Sequence, residues 1–351
     1  MKYVPTLIAL ALSTAPIFAS AGQWEGPLNG VTEHIIKDGY AQYANSSQTL
    51  QQTSQALCAN PSEETLNEAK SAFQANALDW QRMQWLNFGP VTYFMRYYAF
   101  EYWPDKKGVT QRQLRALAQG DPAVMDAPKF WTSASIAVRG LTAIESLLYH
   151  PDFQPTQSAT HCQLLEKVTA HHLDSASAVA KQWQESKAQD WVFEEEGDSF
   201  DPERMALEQF LQQWIEHMSA VKDAKLETPI GYNTRENLKL AEFYRSELPL
   251  KAIQANLQSY REIYHSGSPS LYDIASQANP DVAQQLEEQL MQNIKLALQL
   301  PEGFFQTGMT QEERVELARP LVKSISNSQT YLSSLVTSLG FQIGFNSRDG
   351  D

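Results

Sequence analysis

Residues 136–149 read IAVRGLTAIESLLY, and Glu145 stands there among Ile136, Val138, Leu141, Ile144, Leu147, Leu148 and Tyr149. Wrapped on a helix, those apolar residues cover the whole circumference, which is the pattern of a buried helix. A carboxylate inside such a helix is costly unless it is paired, neutral or facing a wet cavity. Paired, it locks two elements together. Facing a cavity, it ligates a cation or handles a proton.

Two further stretches bring polar groups within reach of such a site. Residues 88–108, FGPVTYFMRYYAFEYWPDKKG, are dense in aromatics and carry Arg96, Glu101 and Asp105 among them. Core packing explains most of the rings. Tyr93, Tyr97, Tyr98 and Tyr102 also bring hydroxyls that need partners if buried, so this stretch is expected to form a cavity wall. The chain ends LGFQIGFNSRDGD, where Asn346, Asp349, Asp351 and the terminal carboxylate gather oxygens at one point. Two readings stay open for it: a free polar tail, or a segment packed down through Phe341, Ile343 and Phe345.

Other chemistries find little support. There is no HExxH, GxSxG, P-loop or GxGxxG. Glu262 and His265 have the spacing of a di-iron helix, but that arrangement needs a second copy and two more glutamates, so a surface pair is expected. His171 and His172 point two ways round a helix and make a poor chelate. The acidic run at 194–201 lacks the ordered spacing of a calcium loop and reads as solvated linker.

The elements that must position these residues read as helices almost throughout. Ile36, Tyr43, Leu50 and Leu57 recur every seven residues, as do Leu66, Phe73 and Trp80, with Ala69, Asn76 and Met83 beside them. Ala318, Ile325, Leu332 and Leu339 form a third series. Such spacing suits long antiparallel helices. Helices are expected near 28–58, 62–88, 91–103, 110–119, 129–149 and 159–189, then 202–226, 234–264, 280–300 and 310–340. Pro61-Ser62 and Asn279-Pro280 are helix starts, and Phe88-Gly89-Pro90 is a break. The expected fold is all-α, two antiparallel four-helix-bundle domains packed side by side, at 22–195 and 196–351.

Residues 1–21 have the form of a secretory signal, with Lys2, an apolar run and Ala19-Ser20-Ala21 as cleavage site near Ala21. The two cysteines, Cys58 and Cys162, are then expected as one disulfide. The net charge of −14 disfavours nucleic acid as a partner.

Several spaced blocks resemble the imelysin-like proteins: FGPV at 88–91, YWPDKKG at 102–108, RQLRAL at 112–117, AVRGLTAIESLLYH at 137–150, FYRSELPLKAIQANLQ at 243–258 and the terminal GFNSRDGD. Cys58 and Cys162 also fall where many members carry theirs. The resemblance implies an exported, periplasmic or outer-membrane-associated protein of two helical bundles, tied to bacterial iron uptake. It also implies a peptidase name inherited from the founding member. The family's signature, GxHxxE, is met by Gly140 and Glu145, with Thr142 at the His position. Threonine offers a weak neutral oxygen, so a His–Glu metal site cannot form at this motif.

The expectation that follows is a non-catalytic binding protein whose polar site lies between the bundles. Glu145 would be joined there by Arg96, Arg245, Tyr102, Asp105, Asn346, Asp349 or Asp351, with Gly140 admitting a neighbouring backbone. The ligand would be iron or another hard cation, bare or as a chelate, and a membrane iron-uptake partner is an expected contact. A metallopeptidase and a receptor-docking protein are the two alternatives.

Overall fold

The computed structural model describes residues 22–127, 129–192 and 201–341. The expected signal segment, most of the acidic linker, and Ile343, Phe345, Asn346, Asp349 and Asp351 lie outside the described residues. Those described contain helices and one isolated bridge, Gly267 to Ser270. No helix among them is long and apolar enough to cross a membrane.

In the N-terminal half, α1 (Glu25–Gly30), a wider-turned π segment (Val31–Lys37) and α2 (Asp38–Ala59) run on as one rod. α3 (Glu63–Met83) starts at Ser62, whose hydroxyl accepts from the Thr65 amide while the Thr65 hydroxyl accepts from the Ser62 amide. Short helices follow: α4 (Arg96–Phe100), α5 (Val109–Gln119), α6 (Phe130–Ser133) and α7 (Leu141–Tyr149). α8 (Ala159–Gln184) completes this half. In the C-terminal half, α9 (Pro202–Ser219), a second π segment (Ala220–Glu227) and α10 (Thr228–Ile230) form another rod, closed by Gly231 at φ +67°. α11 (Pro249–Tyr264), α12 (Leu271–Ala278), α13 (Pro280–Gln299) and α14 (Gln311–Ser338) follow.

The heptad series explain the packing. Ile36, Tyr43, Leu50 and Leu57 are fully buried where α2 meets α3 and α8, and Ala318, Ile325 and Leu332 are buried where α14 meets α13 and α9. α11 packs on α13 within its half and on α3 across the seam between halves. Phe341 is the anchor its chemistry suggested, 4.5 Å from Trp24 by ring centres. Cys58 and Cys162 are bonded and tie the end of α2 to the start of α8. Closing a loop of 104 residues is worth on the order of 4–5 kcal/mol in the chain-entropy picture.

Three expected helices are broken, and the breaks matter for the site. The 129–149 helix is three pieces, with Ser135 capping a turn at 136–138 and Gly140 starting α7. Glu145 therefore lies on a short two-turn helix, and the N-terminal half has three long helices completed by short ones rather than four. The 91–103 helix shrinks to α4, preceded by Phe94 and Met95 in the left-handed region at φ +56°. Tyr93, Phe94 and Tyr98 are at least half exposed, so the cavity wall does not come from them. The 234–264 helix begins only at Pro249, where proline's fixed φ favours a first helical turn. α12 fills a stretch where no helix was expected.

Candidate functional site

α7 is held against the preceding chain by backbone contact. A Cβ on Gly140 would sit 2.0 Å from the Ala99 carbonyl oxygen and 2.4 Å from that of Phe100. Both obstacles are backbone, which cannot swing aside. Gly140→Ala is therefore expected to lower unfolding free energy by at least about 2 kcal/mol, the range of overpacked cores. Urea titration checks this; an unchanged midpoint would refute the close-approach argument. Thr142, at the position where the family signature has histidine, donates from Oγ1 to the Tyr102 carbonyl at 3.1 Å. It is a structural tie.

That seat points Glu145 across the seam. Its Oε1 accepts from the Ser246 amide at 3.0 Å and the Ser246 hydroxyl at 2.8 Å, and Oε2 lies 3.5 Å from Arg245 Nη1. Burial pushes its carboxyl up, and the Ser246 and Arg245 contacts pull it back. Of the proposed partners, then, Arg245 is the one that meets Glu145. Arg96 is turned elsewhere, donating to the Pro90 carbonyl at 3.2 Å and to Gln182 at 2.7 Å. Tyr102 contributes its carbonyl to Thr142. Asp105 caps α5, accepting from the Val109 and Thr110 amides at 2.8 Å each.

The segment carrying Arg245 and Ser246 is strained. Phe243 and Glu247 flank the pair with φ of +55° and +60°, the left-handed region that non-glycine residues occupy at a cost of about 1 kcal/mol or more. Arg245 lies over the Tyr244 ring at 4.3 Å. Its Nε is buried and has no acceptor.

Between these elements lies a cleft of about 240 Å³. Glu101, Asp105, Lys106, Thr142, Glu145 and Ser146 line it from the N-terminal half, and Asn237, Lys239, Tyr244 and Arg245 from the other. Trp103 bridges its edge, donating from Nε1 to the Leu240 carbonyl at 3.1 Å. The wall is thus the chain at 101–105, just after the aromatic stretch.

Behind Glu101 sits a buried polar cluster that the sequence reading did not find. Glu101 Oε2 accepts from Trp80 Nε1 at 2.9 Å, Gln84 Nε2 at 3.1 Å and Gln81 Nε2 at 3.2 Å. Glu242 Oε1 accepts from the same Gln84 amide at 3.1 Å, and its Oε2 pairs with Lys225 Nζ at 2.8 Å. Lys225, in the π segment after α9, also donates to Asn256 at 2.9 Å and lies against the Gln81 and Gln84 side-chain oxygens. His217 joins through Gln84 at 3.2 Å and Tyr260 at 2.8 Å. Burial, and then the Glu242 charge, push the Glu101 carboxyl well above the usual carboxylate range. Glu101 therefore keeps its proton to higher pH than an ordinary carboxylic acid, beside a Glu242 whose charge Lys225 balances. One sequence signal pointed here: Leu211, Met218 and Lys225 form a seven-residue series whose third member is charged.

His172 and His265 are engaged elsewhere. His172 is buried, with Nε2 3.0 Å from both the Tyr43 hydroxyl and Asn76 Oδ1. Glu262 and His265 do not pair with each other: Glu262 meets Arg82 at 3.6 Å and His265 meets Glu287 at 2.7 Å. Among the described residues no three His, Cys, Asp or Glu converge in a way that could hold a metal ion. Glu145 is already engaged and Thr142 is neutral, so the described cleft does not fit a bare cation.

Residues 36–332 match the family model described as Imelysin, a peptidase family by name. No curated protein sequence matches this chain. Among solved structures, an imelysin-like protein from Psychrobacter arcticum superposes with a TM-score of 0.76 at 21% identity, covering 91% of this chain and 96% of the other. A protein described as an iron-regulated protein A precursor, from Parabacteroides distasonis, superposes with a TM-score of 0.72 at 14% identity, covering 91% and 95%. At these identities the likeness is one of fold.

Proposed function

This chain belongs to the Imelysin family, and on that premise we propose that it is an exported, non-catalytic binding protein serving bacterial iron acquisition. Its site is the cleft between the helical halves. The observation that carries the reading is the strained turn at 243–247, which brings Arg245 and Ser246 from one half onto the buried Glu145 of the other at the edge of a polar cavity. Strain of this kind persists where surrounding structure over-determines it, as at ligand clamps. Iron is the cargo. The iron-regulated name of the Parabacteroides protein supports that choice, and export is supported by the leader-like first 21 residues.

Peptide cleavage is the weaker reading. It needs a metal with an activated water, and Thr142 cannot supply the ligand that histidine would. The test supplies iron to the mature protein as ferric citrate, as ferric nitrilotriacetate and as Fe²⁺ without oxygen, and measures iron retained after gel filtration. The wild type is expected to retain iron from at least one form, and Glu145→Gln to retain at least about tenfold less, since the ion pair that positions Arg245 at the cleft is lost. Equal retention by both proteins would remove Glu145 from the site, and none by the wild type would end the reading. Chelator-sensitive cleavage of a peptide, abolished by Glu145→Gln, would install the peptidase instead.

A further inference from the structure

The charged groups around the cleft are engaged unequally. Glu145 is satisfied by Ser246 and Arg245, and Asp105 is satisfied by the first turn of α5. Glu101 is turned into the cluster behind it. Of these carboxylate oxygens only Glu101 Oε1, which is buried, has no hydrogen-bond partner, and burial and Glu242 favour the protonated form of that carboxyl. The positive groups are different. Lys106 and Lys239 line the cleft from opposite halves and are exposed. Neither makes an ion pair or hydrogen bond among the described residues. Arg245 spends one nitrogen on Glu145 and keeps its Nε buried without an acceptor. A buried N–H with no partner is rare in a site whose contacts are complete.

We propose that the cleft recognises its ligand by the ligand's negative groups, and so takes a small carboxylate-bearing chelate rather than a bare ion. This rests on the binding reading above and specifies its chemistry. Arg245, lying over the Tyr244 ring at 4.3 Å, carries a planar guanidinium suited to a carboxylate, whereas an ammonium acts as a point charge. Lys106 and Lys239 supply those point charges from the two sides, so a bound anion is contacted by both halves at once. Glu101 adds no opposing charge while it holds its proton. In a chain of net charge −14, a local surplus of unengaged cations is a selective feature.

Calorimetry with ferric citrate tests this on the mature protein, comparing wild type with Lys106→Gln/Lys239→Gln. Both lysines are exposed and unpaired, so the variant is expected to keep the wild-type melting temperature. Its affinity for ferric citrate is expected to fall at least about tenfold, and the wild-type affinity to fall as salt screens the contact. Iron bound as Fe²⁺ without a chelator, or ferric citrate bound equally by both proteins, would overturn the anionic class and leave the cleft as an iron site. Failure of every iron form to bind would sink the cleft as a site and this inference with it.

Discussion

Lys225→Met is expected to destabilise the protein by about 3–5 kcal/mol, the cost of stranding one partner of a buried ion pair. The ammonium is 2% exposed and is the positive charge paired with Glu242, itself 1% exposed. With methionine there, the apolar volume is kept but Glu242 has no counter-charge, and Asn256, Gln81 and Gln84 lose a shared donor. The cluster joins α3 and the chain after α4 to the π segment, the 238–248 turn and α11, so the loss falls on the seam between the halves. Adding Glu242→Gln should recover much of the loss, because the pair is then neutral again. Urea unfolding of wild type, single and double variants measures both. A single variant within about 1 kcal/mol of wild type would mean that the ammonium does not hold the seam.

The second large effect is a change in pH dependence on Glu101→Gln. The folded chain holds the Glu101 proton above the pH at which an ordinary carboxylic acid sheds it, because burial and Glu242 both oppose ionisation. The unfolded chain sheds it in the ordinary range. Folded protein therefore binds more protons there, and stability falls as pH rises. The contribution is fully present below the ordinary carboxylate range and is lost as pH climbs through the raised value. Glutamine keeps the neutral shape, with an N–H for Glu242 and an oxygen for Trp80, Gln81 and Gln84, but carries no proton to lose. Between the two values the variant should gain on the wild type by up to about 1.4 kcal/mol per pH unit. Glu145, whose carboxyl burial also raises, is present in both proteins and cancels in the difference. Unfolding free energies at pH 5, 6 and 7 give the comparison. Parallel curves would mean that Glu101 sheds its proton in the ordinary carboxylate range in the folded chain as well.

Local pattern and local chemistry were legible wherever one stretch of chain carries the whole cause. The seven-residue series marked α2, α3 and α14 because each helix presents its own apolar stripe, whatever it packs on. Ser62 and Asn279 marked helix starts because a cap acts within three residues. Glu145 was legible as indoors because its neighbours on both sides are apolar, and Gly140 as a point of close backbone approach because only glycine leaves that room. Lengths failed at 91–103, 129–149 and 234–264. Left-handed backbone at Phe94, Met95, Phe243 and Glu247 breaks the first and third, and the Ser135 cap with the Gly140 start divides the second, in stretches composed mostly of helix-compatible residues.

By itself, then, the sequence determined an all-α chain of heptad-patterned helices, one cystine and a buried acid on a glycine-started helix. Only the tertiary structure decided what that acid meets. Arg245 could not be told from Arg96 as its partner, since 100 residues separate Arg245 from Glu145 and the deciding turn is held in left-handed backbone by the structure around it rather than by its own composition. Glu101, Lys225 and Glu242 were invisible as a unit for the same reason: each is an ordinary charged residue in its own stretch, and their chemistry exists only because folding removes water from all three at once.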